Sequence, residues 1–81
     1  MEKRGKIMRE KVKEILQTNY PEIDFESSNE LVDEGILDSM TLVGIISALS
    51  MEFGIMLPYE DIIPENFNSI DTMAKLVQRY I

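Results

Sequence analysis

The chain is expected to be all-α, a four-helix bundle of three main helices and one short one. Apolar residues recur at helical spacing in three separate segments, and a capping or breaking residue bounds each of them. At 81 residues the chain has room for one domain with a simple core, so residues 1–81 are read as a single domain. With 44% hydrophobic and 28% charged residues, its composition is that of an ordinary globular protein.

From Glu2 to Asn19, the residues Met8, Val12, Ile15 and Leu16 form the one-sided stripe of an amphipathic helix, which Asn19-Tyr20-Pro21 ends. Tyr20 to Leu37 has no sustained period and is rich in acidic, Ser and Asn residues. It reads as a long loop with one turn at Asn29 to Val32, held to the core by Ile23, Phe25, Leu31 and Ile36. Loops this long in compact domains are usually functional. Asp38 is placed as N-cap of a second helix, because its short carboxylate can accept a free first-turn N–H. That helix runs to about Phe53, with Leu42, Ile45, Ile46, Leu49 and Phe53 gathered on one face, and Gly54 suits the position just past its end. Tyr59 to Ile62, between Pro58 and Pro64, is the short third helix. Ser69 caps the last, whose core stripe is Ile70, Met73, Ala74, Val77 and Ile81, with Asp71 near its positive end and Arg79 near its negative end.

The chemistry open to the chain alone is narrow. It has no His and no Cys, the side chains best suited to proton transfer or nucleophilic attack near neutral pH, so it is not expected to be an enzyme. Without Cys there is neither a disulfide framework nor a thiolate zinc site. Net charge is −7 and unevenly spread: the first helix carries Lys3, Arg4, Lys6, Arg9, Lys11 and Lys13, whereas every charged residue from Glu22 to Asp71 is acidic. Such a surface repels nucleic acid and anionic lipid and attracts basic protein surfaces. No apolar run is long enough to span a membrane, and no secretory leader is evident, so the protein is read as cytoplasmic.

One place combines a hydroxyl with a helix start: Gly35-Ile36-Leu37-Asp38-Ser39-Met40. A Ser beside an Asp at a helix start is by itself only a cap. The wider pattern adds a long acidic loop before it, Glu52-Phe53-Gly54-Ile55 and Leu57-Pro58 after it, and a last helix following Asn68-Ser69-Ile70. Taken together, these residues resemble the acyl and peptidyl carrier proteins, whose motif is a Gly a few residues before Asp-Ser-Leu or Asp-Ser-Met with the Ser opening a helix. The resemblance covers nearly the whole chain. It implies a carrier domain of the acyl-carrier type with 4′-phosphopantetheine, taken from coenzyme A, on Ser39, and with Asp38 and Met40 beside the attachment point. A phosphodiester is tolerated there because unpaired N–H groups and the helix macrodipole favour negative charge. The arm's thiol would carry acyl or aminoacyl cargo as a thioester in fatty acid, polyketide or nonribosomal peptide biosynthesis. Implied partners are a phosphopantetheinyl transferase, a loading ligase or adenylating enzyme, and downstream acyl-transfer or synthase enzymes, all meeting a monomer. The rival reading is an unmodified acidic helical adaptor in which Ser39 is only a helix-start residue.

Opposite the second helix's core stripe lie Met40, Gly44, Ser47 and Met51, with Val43 and Ala48 on the flanks, and no residue from Met40 to Met51 is charged. This face is expected to dock partner enzymes through apolar contact, because Met side chains adapt to varied surfaces. Glu60 and Asp61, with Asp38, are assigned to electrostatic steering. An uncharged helix departs from the fatty-acid-synthesis carriers, whose equivalent helix bears carboxylates, and looks more like peptidyl or D-alanyl carriers or one serving a specialised pathway. The acidic loop is not a calcium site: counting back from Gly35 puts Val32, which cannot ligate, at the third ligand position. The basic first helix could touch anionic lipid or the protein's own acidic loop, and is read as a solvated face.

Overall fold

The computed structural model describes residues 3–81, and its ordered elements are helices and turns. Helix α1 spans Lys3–Asn19, α2 Ser39–Phe53, α3 Pro64–Phe67 and α4 Ile70–Gln78, with a 3₁₀ turn at Tyr59–Asp61. Glu2, the expected start of the first helix, lies outside the described residues. Three long helices and a short one match the architecture expected from periodicity. In the core, Met8, Val12 and Leu16 of α1 meet Ile45 and Leu49 of α2 and Ile70, Met73, Ala74 and Val77 of α4. Leu76 is also fully buried, so α4 hides more than a single stripe. Helix α4 packs against α1 on one side and α3 on another, which widens its covered arc.

Differences from expectation cluster where the chain is aperiodic. The short third helix, expected at Tyr59 to Ile62, divides into the 3₁₀ turn and a separate one-turn α3. Pro64 opens α3 instead of merely stopping what precedes it: at the first helical position its missing N–H costs nothing and its fixed φ is already helical. Ile63 before it is extended, at φ −129° and ψ 155°, as the residue ahead of a proline prefers. Helix α4 ends at Gln78, so Ile81 falls outside it and is exposed. Ile36 points outward while Leu37 takes the core place expected of it, and Phe67 and Leu57 complete the core without any period to reveal them.

The loop from 20 to 37 is ordered by local hydrogen bonds. In place of the single expected turn it has short turns at 21–22 and 25–26 and a longer one at 31–35, the last closed by Gly35 N–H to Val32 O at 3.0 Å and Leu37 N–H to Leu31 O at 3.0 Å. Gly35 adopts φ +78°, the left-handed conformation that a β-carbon disfavours. The buried Asn68, between α3 and α4, clamps this turn. Its backbone carbonyl accepts from the Leu31 N–H at 2.9 Å, and its side-chain oxygen accepts from Val32 at 2.9 Å and Asp33 at 3.1 Å. Its amide donates to Asp33 Oδ2 at 3.0 Å. Replacing Asn68 by Ala strands two N–H donors of the turn, and we expect a loss of about 1–3 kcal/mol in urea unfolding.

The basic face of α1 is partly turned onto the protein itself. Arg9 Nε lies 2.7 Å from Asp71 Oδ1, and Lys13 Nζ lies 2.5 Å from Glu26 Oε2. The face read as solvated is therefore only partly so: Lys6 and Lys11 are exposed, whereas Lys13 contacts the acidic loop at Glu26.

Candidate functional site

The site begins with a helix start that the sequence defines sharply. Asp38 is extended, at φ −84° and ψ 179°, and its Oδ1 accepts the Thr41 N–H at 2.8 Å, the N-cap geometry expected of it. The Thr41 backbone N–H, and next the Thr41 hydroxyl, hold the Asp38 carboxyl below the usual carboxylate range. A depressed carboxylate stabilises the fold above its unfolded value, ordinarily 3.8, and that contribution disappears as pH falls through the lower folded value. The stability difference between the native chain and an Asp38→Ala variant is therefore expected to persist through mild acid and to close below the ordinary carboxylate midpoint. A carboxyl titration by NMR checks the sign: the Asp38 midpoint should lie below 3.8.

Ser39, the first residue of α2, is exposed, and its hydroxyl makes no hydrogen bond among the described residues. The cap accepts the N–H of Thr41, the Met40 N–H faces the same carboxylate and adds a smaller part of what lowers it, and Leu42 N–H reaches the Asp38 carbonyl at 2.9 Å. The Ser39 N–H makes no hydrogen bond to the protein among the described residues. An accessible hydroxyl thus stands beside a free first-turn N–H at the positive end of a 15-residue helix. A phosphodiester on that oxygen fits the surroundings: it adds negative charge where the helix favours it and displaces no existing contact.

Around this point the outer face of α2 lies open. Met40 is 86% exposed, Val43 65% and Met51 80%, with Ser47 exposed between them. Neighbouring loops cover none of these four. They do cover Gly44: Tyr20 lies against it so closely that a β-carbon there would overlap the tyrosine hydroxyl. Gly44 is half-buried under Tyr20, a close approach that only glycine permits, which removes it from the open face.

The two acidic residues assigned to steering separate in the same way. Glu60 is exposed. Asp61 is occupied: the Tyr80 hydroxyl donates to its Oδ2, and the Arg79 guanidinium stands 4.0 Å from its Oδ1. Asn66 completes the tie by donating from Nδ2 to the Asp61 carbonyl at 2.7 Å. Hydrogen bonding to Asp61 holds the Tyr80 hydroxyl above its usual range. Asp61 therefore ties the 3₁₀ turn to the end of α4, whereas Glu60 is free of such contacts among the described residues.

Two contributors to the site have roles that no sequence pattern announces. Asn68 stands in the pattern before the last helix with no role attached, and Tyr20 reads as part of a helix stop. Ser69 does cap α4 through a reciprocal pairing with Thr72, so the cap is legible while the residue before it is not.

Residues 6–77 match the family model described as the phosphopantetheine attachment site. Over 66 residues the chain is 38% identical to aminoacyl carrier protein 1 of Bradyrhizobium diazoefficiens, a similarity covering 82% of this chain and 72% of that protein. Aminoacyl carrier protein 2 of the same organism is 36% identical over 66 residues, covering 82% of this chain and 73% of that protein. No solved structure matches the chain. A match over most of the chain, together with relatives above 30% identity, shows that this protein belongs to the phosphopantetheine attachment family and is a non-catalytic carrier whose prosthetic group is 4′-phosphopantetheine.

Proposed function

We propose that Ser39 bears the 4′-phosphopantetheine arm and that residues 1–81 act as one carrier domain presenting an aminoacyl thioester. The observation that carries the attachment point is the free, exposed hydroxyl at the start of α2, next to the free N–H of Ser39. The aminoacyl cargo is supported by the names of both relatives and by the absence of charge from Met40 to Met51 of α2, which departs from carriers of fatty acid synthesis. When bound, the arm supplies the thiol that holds the cargo, a group this Cys-free chain lacks. The chain's own residues do the rest. Ser39 Oγ forms the phosphoester, the N–H of Ser39 faces the added charge, and Asp38 keeps the helix start in shape. Met40, Val43, Ser47 and Met51 form the docking face, and Glu60 steers basic partner surfaces toward it.

The partners that follow are a phosphopantetheinyl transferase using coenzyme A, an ATP-dependent adenylating ligase that loads an amino acid, and an enzyme that removes it. A cytoplasmic exchange is the reading that accords with the use of coenzyme A and ATP. Separately, among the described residues no helix is long and apolar enough to cross a membrane.

Incubation with coenzyme A and a phosphopantetheinyl transferase should add one prosthetic group, detected by intact mass and mapped to the peptide containing Ser39. No mass gain would leave the unmodified adaptor as the better reading, and a fatty acyl thioester isolated from cells would displace the aminoacyl cargo. Replacing both Met40 and Val43 by Asp should slow arm transfer and loading by at least about tenfold, since each change puts a charge into an apolar contact. Unchanged rates in that variant would remove the docking face.

A further inference from the structure

Among the described residues, the methionines fall into two groups. Met8 and Met73 are buried in the core, whereas Met40 is 86%, Met51 80% and Met56 88% exposed. Thioethers this open are unexplained by packing, because an exposed methionine gains little from burial. Met40 differs from the other two in its position, directly following Ser39. In a chain without Cys, exposed thioethers are the side chains most readily oxidised.

We infer that Met40 is a reversible oxidation site, at which a hydroperoxide converts the thioether to a sulfoxide and thereby suppresses docking of the enzymes that use Ser39. The inference rests on the carrier reading given above. In the reaction a sulfur lone pair attacks the terminal oxygen of hydrogen peroxide; the S–O bond forms, the O–O bond breaks, and the departing hydroxide leaves as water with the proton released from the transferred oxygen. Sulfur loses two electrons and the peroxide gains them. Methionine sulfoxide reductases, drawing two electrons from a dithiol, reverse the step.

Three features make this a selective switch. The fold is protected, because Met8 and Met73 are the methionines whose oxidation would disturb the core and both are shielded from solvent. The modified group lies where it matters, since a sulfoxide is a strong hydrogen-bond acceptor and the face around it, Met40, Val43 and Met51, offers a partner apolar contact. Desolvating that acceptor against an apolar surface opposes binding. Lastly, no helix contact demands methionine at position 40: leucine has comparable volume and helix propensity and cannot be oxidised at sulfur.

The test uses the apo protein, so that no arm thiol competes for oxidant. A chain carrying Met51→Leu and Met56→Leu, and the same chain with Met40→Leu added, are treated with hydrogen peroxide, quenched with catalase, and assayed for the rate of arm transfer from coenzyme A by a phosphopantetheinyl transferase. Each protein is compared with its own untreated rate. Peptide mass mapping should find sulfoxide at Met40 and little at Met8 or Met73, with helical circular dichroism unchanged. The chain that retains Met40 should lose at least about tenfold in rate and regain it after treatment with the reductases, and the one with Met40→Leu added should keep its own untreated rate. A fully oxidised Met40 with an unaltered rate, or an equal loss in Met40→Leu, overturns the inference. An untreated protein that accepts no arm overturns the carrier reading itself, a result separable from both.

Discussion

Replacing Ser39 by Ala is expected to abolish acceptance of the prosthetic group while leaving the fold as stable as before. The two halves of this expectation come from the same geometry. The hydroxyl is exposed and bonds to nothing in the protein among the described residues, so removing it strands no partner and opens no cavity. The helix start is held by Asp38 through Thr41, not by Ser39, and Ala is at least as good a helix former as Ser. Urea unfolding of Ser39→Ala should therefore fall within about 0.5 kcal/mol of the native chain, as surface changes usually do. Arm transfer has no such tolerance. The oxygen is the atom esterified, and neither a Cys nor a His elsewhere can take its place. Intact mass after incubation with coenzyme A and a transferase should show complete modification of the native chain and none of the variant. A residual mass gain in Ser39→Ala would move the attachment point to another hydroxyl, and a large loss of stability would mean that Ser39 is a structural residue after all.

What the sequence made legible follows from where physical signals repeat. The three long helices carry apolar stripes over several turns, and their ends carry residues with one dominant local use: Asp38 and Ser69 as N-caps, Gly54 in the left-handed conformation past α2 at φ 63°. Those elements were readable because local preference and tertiary packing agree there. The 3₁₀ turn and α3 were not, because four residues cannot display a period and Pro64 serves equally as a stop or a start. Within the site, Ser39 stood out through its motif and Met40, Val43 and Met51 through the lack of charge. Asn68, Tyr20 and the Asp61 tie are invisible in one dimension. Each acts on a partner far along the chain, Asn68 on residues 31–33, Tyr20 on Gly44 and Tyr80 on Asp61. Charge alone says nothing of which carboxylates the fold engages, as it does Asp61.

The largest effect on stability is expected at Phe25, in the middle of the long loop. Its side chain is fully buried, together with Leu31 and Leu37 of the same segment, and it joins the cluster formed by α1, α2 and α4. Removing a buried phenylalanine ring costs about 3–5 kcal/mol, as lost transfer energy plus the cavity left behind. Domains gain roughly 0.05–0.15 kcal/mol of stability per residue, so a chain of 81 residues has roughly 4–12 kcal/mol in all. Phe25→Ala therefore removes much of that margin and should lower the thermal midpoint by at least about 12 °C. Ile36→Ala, in the same loop but 38% exposed, is the control, and should change stability by much less than Phe25→Ala. If the two variants were equally mild, the loop would be a tether lying on the bundle, and the place of Ser39 would depend on α2 alone. If Phe25→Ala alone is severe, the loop is part of the core. The segment that leads to Ser39 is then fixed at Phe25 and Leu31, at the Asn68 clamp and at Leu37, and the helix start it leads into is held as firmly as the core itself.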